Sequence, residues 1–125
     1  MAKILLVEDD ALIRDLIAYR LQNHHFDVVA ASDGKEGVLL AKSENPDLIL
    51  MDMRMPIMDG WEATEQIKTW PPTATIPIIA LTAQSAAIVG QREMSVSYDG
   101  YAQKPVEFKR LLTQIESLIQ QRIVA

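Results

Sequence analysis

Short apolar runs separated by stretches of helical period set the layout of this chain. The runs cover residues 3–7, 26–30, 48–51, 76–81 and, more weakly, 100–103, each of strand length and each bounded by polar or turn residues. Between them, Leu12, Ile13, Leu16, Ile17 and Leu21 form one helical stripe, and Val38, Leu39 and Ala41 suggest a second. Ser32 and Asp33 are placed to cap the second helix, Asn45-Pro46 to stop it, and Trp70-Pro71-Pro72 to stop the third. The last helix is predicted over 106–122, with Phe108, Leu111, Leu112, Ile115, Leu118 and Ile119 on one face. Five strands alternating with helices, the strands apolar throughout instead of every second residue, predict an α/β fold with a parallel sheet covered on both faces.

Length and charge narrow the options. A chain of 125 residues suits one domain with one core, expected to span 1–125 with no effector domain. With 17 acidic against 12 basic residues the net charge is -5, which disfavours direct binding to nucleic acid. There is no cysteine, so disulfides and thiolate metal sites are excluded. The apolar run at 4–7 is too short for a signal or a membrane span, and a cytoplasmic location is expected.

In an open parallel sheet ligands gather at the carboxyl ends of the strands. There this sequence places Glu8, Asp9 and Asp10 after the first strand, Asp52 after the third, Thr82 and Ala83 after the fourth, and Lys104-Pro105 after the fifth. Clustered carboxylates repel unless a cation joins them. Glu8, Asp9 and Asp52 form the oxygen-only, incompletely filled set that suits Mg2+. Beside such an ion a carboxylate can act as a nucleophile toward phosphorus. Asp52 is the best-placed acceptor, Lys104 offers a charge, Thr82 a hydroxyl, and backbone N–H groups near Arg54 and Ala83 offer further donors. Taken singly, Lys104 is a surface charge, Thr82 a strand-end residue and Asp10 a helix cap; only their correlation lifts the set above that.

The segments Leu5-Leu6-Val7-Glu8-Asp9-Asp10, Asp52-Met53-Arg54-Met55-Pro56-Ile57-Met58-Asp59-Gly60, Leu81-Thr82-Ala83 and Lys104-Pro105 together resemble the receiver domain of two-component response regulators, in particular the stand-alone, chemotaxis-regulator type. The resemblance spans nearly the whole chain. It implies a flavodoxin-like, doubly wound five-stranded sheet of order 2-1-3-4-5 with five helices. It maps Glu8 and Asp9 to the magnesium pair, Asp52 to the phosphoacceptor, and Arg54 to the position whose backbone carbonyl also ligates the ion. Thr82 and Tyr101 correspond to the switch pair, Lys104 to the phosphate-binding lysine, and Lys104-Pro105 to a cis peptide bond. Arg54 and Gln84 fall at positions that tune dephosphorylation. The partners implied are a histidine kinase or phosphotransfer protein and an unidentified downstream protein, with no membrane and no direct nucleic-acid contact, the chain acting as a monomer or weak dimer. Such a domain is not a conventional enzyme, although it contributes catalysis to its own phosphorylation and dephosphorylation.

The sequence departs from the family in one segment. Residues 94–100 read Met-Ser-Val-Ser-Tyr-Asp-Gly where receivers carry a small Ala-Gly turn, and Ser85, Val89, Gly90, Ser95, Val96 and Ser97 weaken the fourth helix. Three alternatives remain in view. A haloacid-dehalogenase-like phosphatase needs Asp-x-Asp after the first strand. A flavodoxin-like flavin carrier needs a Ser/Thr/Gly loop where Glu8-Asp9-Asp10 stands. The third is a pseudo-receiver that binds partners without phosphorylation.

Overall fold

The computed structural model describes residues 1–83 and 98–124. In chain order they form β1 (Lys3–Val7), α1 (Ala11–Asn23), β2 (Asp27–Ala31), α2 (Gly34–Glu44), β3 (Leu48–Asp52), α3 (Gly60–Thr69), a 3-10 turn (Pro71–Thr73), β4 (Ile78–Thr82), β5 (Gly100–Gln103) and α4 (Phe108–Val124). All strand pairs are parallel and the order is β2-β1-β3-β4-β5. The helix expected between β4 and β5 lies outside the described residues, so four of the five anticipated α-helices are described here.

Alternation along the strands sorts the core into two layers. Leu5, Val7, Ile49, Met51, Ile78 and Ala80 face α2 and α3, meeting Val38, Ala41, Ala63 and Ile67. Ile4, Leu6, Leu48, Leu50, Ile79 and Leu81 face α1 and α4, meeting Ile17, Leu21, Phe108, Leu111 and Ile115. Every residue of β3 and β4 is buried, which is why those runs carry no polar alternation until Asp52 and Thr82. Register then brings the site together: Asp52 lies beside Leu81 and Thr82 beside Gln103, so the polar strand ends align along one edge.

Two expectations about helix faces are corrected. Leu12 and Leu16 are 79% and 57% exposed, although they belong to the anticipated apolar stripe. Ile13, Ile17 and Leu21 fall within a sector of about 80°, with Leu16 and Leu12 about 100° and 140° from its centre, and the sheet covers only the narrow sector. Leu39 is likewise exposed, one residue and about 100° round from buried Val38. On α4, Phe108, Leu111 and Ile115 are buried, with Leu112, Leu118 and Ile119 packed around them.

Boundaries shift by a residue or two for local reasons. β4 begins at Ile78, not 76, because Pro77 has no N–H for the ladder; its carbonyl still accepts from Ile49. Phe26 stays out of β2, its N–H tied to the Leu21 carbonyl at the end of α1. α4 starts at Phe108, after the Glu107 side chain accepts the Arg110 N–H at 3.2 Å. Asp10, Asp33 and Asp59 cap α1, α2 and α3 through side-chain bonds to backbone N–H groups, while Asn45 turns the chain out of α2 in the left-handed conformation.

Candidate functional site

The end of β1 delivers Glu8 inward and Asp9 outward. Glu8 is fully buried, and its loop is braced from α1: the Arg14 guanidinium donates to the Glu8 carbonyl at 2.9 Å, and the Asp10 N–H donates to Glu8 Oε2 at 3.3 Å. At the end of β3, Asp52 is 3% exposed, and its Oδ1 accepts the Arg54 N–H at 3.3 Å. The chain leaves Asp52 along a tight course. Gly60, first residue of α3, donates to the Met53 carbonyl at 3.3 Å and sits so close to the Asp52 carbonyl oxygen that a Cβ would collide with it. Only glycine lets the start of α3 approach the end of β3 this closely.

Lys104, from the end of β5, joins the two acids. Its Nζ lies 3.0 Å from Glu8 Oε1 and 3.1 Å from Asp52 Oδ1, and the Lys104-Pro105 peptide is cis. Burial pushes the Glu8 carboxyl up from 4.5 to about 7, a hydrogen bond with Asp52 adding to the rise and Lys104 opposing it. Asp52 moves the other way: burial raises it, but hydrogen bonds with Glu8, Asp9 and Lys104 outweigh that and hold it below 3.8. Burial likewise works to lower Lys104, and the two carboxylates more than offset it, lifting the ammonium above 10.5. Glu8 and Asp52 therefore share one site in which one acid is readily protonated and the other stays ionised.

One carboxylate oxygen from each of Glu8, Asp9 and Asp52 falls within 4.8 Å of the others. Three oxygen donors at that spacing, with Asp9 exposed toward solvent, fit a hard divalent ion that keeps part of its water shell. They open into a cleft of about 240 Å³ that is also lined by Arg54, Thr82, Ala83 and Lys104. Tyr101 does not line this cleft. It lines a neighbouring groove of about 470 Å³ beside α4, and Thr82 and Lys104 border both spaces. The sequence-derived residues thus assemble as one acidic cleft with an adjoining groove that holds Tyr101, the two joined through Thr82 and Lys104. Gln84 lies outside the described residues.

Some contributors were not anticipated from sequence. Arg14 braces the Glu8 loop, a role whose only sequence signal is its place one turn after Asp10. Tyr98 contacts Trp61 and Tyr101 with ring centroids at 5.5 and 5.9 Å. Lys68 on α3 donates to the Ile76 carbonyl at 2.6 Å and to Asp99 at 3.0 Å, and Asp99 accepts the Ile78 N–H at 2.8 Å. The described end of the 94–100 segment, residues 98–100, is therefore anchored here by an ion pair and an aromatic ring.

A five-stranded parallel sheet of this order, with acids, a hydroxyl and a lysine at its strand ends, defines the receiver domain of response regulators. The model of that domain matches residues 4–116, and the chain belongs to the family. Receiver domains are signalling domains of two-component systems, not conventional enzymes, and bind Mg2+ at an acidic pocket.

Among relatives, Protein PilH of Pseudomonas aeruginosa is 34% identical over 122 residues, covering 95% of this chain and 98% of that one. The chemotaxis response regulator CheY4 of Vibrio cholerae superposes with a TM-score of 0.87 at 30% identity, covering 94% of this chain and 98% of that one. The receiver domain of the sensor histidine kinase PA1611 from Pseudomonas aeruginosa, with a magnesium ion coordinated in its active site cleft, gives a TM-score of 0.87 at 31% identity, covering 95% and 98%. The chain spans about half the length, 48 to 50%, of the transcriptional regulators that it also matches. Family membership sets aside the phosphatase and flavin-carrier alternatives. Among the described residues no helix is long and apolar enough to cross a membrane.

Proposed function

We propose that this domain receives a phosphoryl group on Asp52 from a phosphohistidine of a histidine kinase or phosphotransfer protein, and that the modified cleft reshapes a surface read by a downstream protein in the cytoplasm. The observation that carries this reading is the Lys104 bridge between buried Glu8 and Asp52 beside a three-carboxylate oxygen cluster. Glu8, Asp9 and Asp52 would hold Mg2+ together with the Arg54 backbone carbonyl. When bound, the ion offsets charge on the phosphoryl oxygens.

An Asp52 carboxylate oxygen attacks phosphorus in line with the donor's P–N bond. The O–P bond forms, the P–N bond breaks, and its electron pair returns to the imidazole nitrogen, which takes up a proton. The Arg54 N–H and the Lys104 ammonium both hold Asp52 Oδ1, and the lowered pKa of Asp52 keeps the nucleophile ionised. Lys104 then transfers its contact from the bare carboxylates to the new phosphoryl oxygens, and the Thr82 hydroxyl donates a hydrogen bond to them. Because Thr82 borders both the cleft and the Tyr101 groove, a shift of Thr82 toward the phosphoryl group opens space into which Tyr101 turns. Charge-assisted bonds worth roughly 1.5 to 3 kcal/mol each are sufficient to bias two states separated by a few kcal/mol.

Incubation with magnesium and acetyl phosphate should add the mass of one phosphoryl group to the intact protein, and Asp52→Asn should abolish it. No mass change in the wild-type chain would overturn the reading. Modification that persists in Asp52→Asn would place the acceptor elsewhere.

A further inference from the structure

We infer that Tyr98 is a positioning residue that sets the resting orientation of Tyr101 and links it to the start of α3, giving the acceptor strand a second route to the switch aromatic. This rests on the reading of Tyr101 as that switch.

The placement of the three rings supports a connected path. Tyr98 sits just before β5, its ring edge-on to the indole of Trp61 at 5.5 Å and to the ring of Tyr101 at 5.9 Å, with interplanar angles of 74° and 61°. These are the T-shaped arrangements that aromatic pairs favour. Tyr98 and Tyr101 both pack against the core layer that contains Met53 and Ala63. The Tyr98 hydroxyl donates to the Gly60 carbonyl at 3.4 Å, long for an O–H···O bond and therefore weak; the ring contacts carry the coupling.

The other end of the path is stiff. Gly60 donates its N–H to the Met53 carbonyl and has no room for a Cβ against the Asp52 carbonyl oxygen. A displacement of the backbone after Asp52 therefore moves Gly60 and Trp61 with it. Trp61 bears on Tyr98, and Tyr98 bears on Tyr101. Thr82 shares with Tyr101 the lining of the groove beside α4 and so supplies a separate input. Two inputs thus converge on one ring, and Tyr98 supplies the one that does not pass through Thr82. Each aromatic pair biases an equilibrium by about 2- to 10-fold, so the loss of Tyr98 should be read as a shift in Tyr101's resting population.

The test labels the three tyrosines of the chain with 3-fluorotyrosine, assigns Tyr101 by Tyr→Phe replacement, and uses Trp70→Phe so that Trp61 alone reports by fluorescence. In resting protein, Tyr98→Phe should leave the Tyr101 fluorine resonance in place. Tyr98→Leu should move it toward its position in wild-type protein treated with magnesium and acetyl phosphate, and should remove the Trp61 emission change on treatment. An unmoved Tyr101 resonance in Tyr98→Leu overturns the inference. Should that variant fail to fold, Trp61→Leu gives the same reading, with the same displacement expected and an unmoved resonance again decisive. Intact mass on every sample separates the two ideas. Wild-type protein that takes no phosphoryl group refutes the Asp52 reading, while the resting comparison of Tyr98→Phe with Tyr98→Leu, or failing that of wild type with Trp61→Leu, still decides the role of Tyr98.

Discussion

At the residue scale the two buried acids pull stability in opposite directions with pH. Glu8 titrates near 7 in the folded chain against 4.5 when unperturbed. Folding therefore takes up a proton, and the stabilisation is full below 4.5 and lost as pH rises through 7. Asp52, held below 3.8, contributes stability above that value and loses it as pH falls further. Metal-free protein in chelator should thus lose on the order of a few kcal/mol between pH 5 and pH 8 in urea titrations, and Glu8→Gln should flatten that slope. A slope unchanged in Glu8→Gln would assign the proton to another group. Ile57 makes a separate case. It is β-branched, 83% exposed, and held at φ 70, a conformation that such side chains rarely adopt. Ile57→Gly or Ile57→Asn should stabilise the fold by about 1 kcal/mol, measured as a higher urea midpoint at constant m-value.

At the element scale, the approach of α3 to β3 fixes where the Asp52 carboxylate stands. Gly60→Ala should cost about 1 to 3 kcal/mol by forcing α3 away from the Asp52 carbonyl, and should slow acetyl phosphate labelling of the folded fraction. Labelling at the wild-type rate would show that the contact matters for packing alone. The strands themselves were readable because burial on both faces leaves continuous apolar runs, and the strand-end chemistry was readable because acids, a hydroxyl and a lysine follow four such runs together, where each alone would pass as a cap, a strand end or a surface charge. Helix faces were less legible. Leu12, Leu16 and Leu39 are apolar and in helical period, yet the sheet covers too narrow a sector to bury them. Tyr98 and Arg14 escaped notice because their partners, Trp61 and the Glu8 carbonyl, are brought near only by the tertiary fold.

For the whole molecule, two core layers share one sheet, and the site lies where that sheet ends. Unfolding should be a single cooperative transition, with tryptophan fluorescence and far-ultraviolet circular dichroism giving one midpoint. Magnesium should raise that midpoint by binding the native cleft alone, more strongly at pH 8 than at pH 6 because Glu8 must shed its proton to accept the ion. Equal shifts at the two pH values would argue that Glu8 is not a ligand.

Lys104 already holds both carboxylates at ion-pair distance before any phosphoryl group arrives. The resting domain thus carries its own internal competitor. On the proposed function, an incoming phosphoryl group would gain from the lysine only the difference between the new contact and the two it replaces. On that reading the lysine would favour the marked form by less than its gross contact energy, and removal of the mark would restore the two ion pairs that the resting domain already holds.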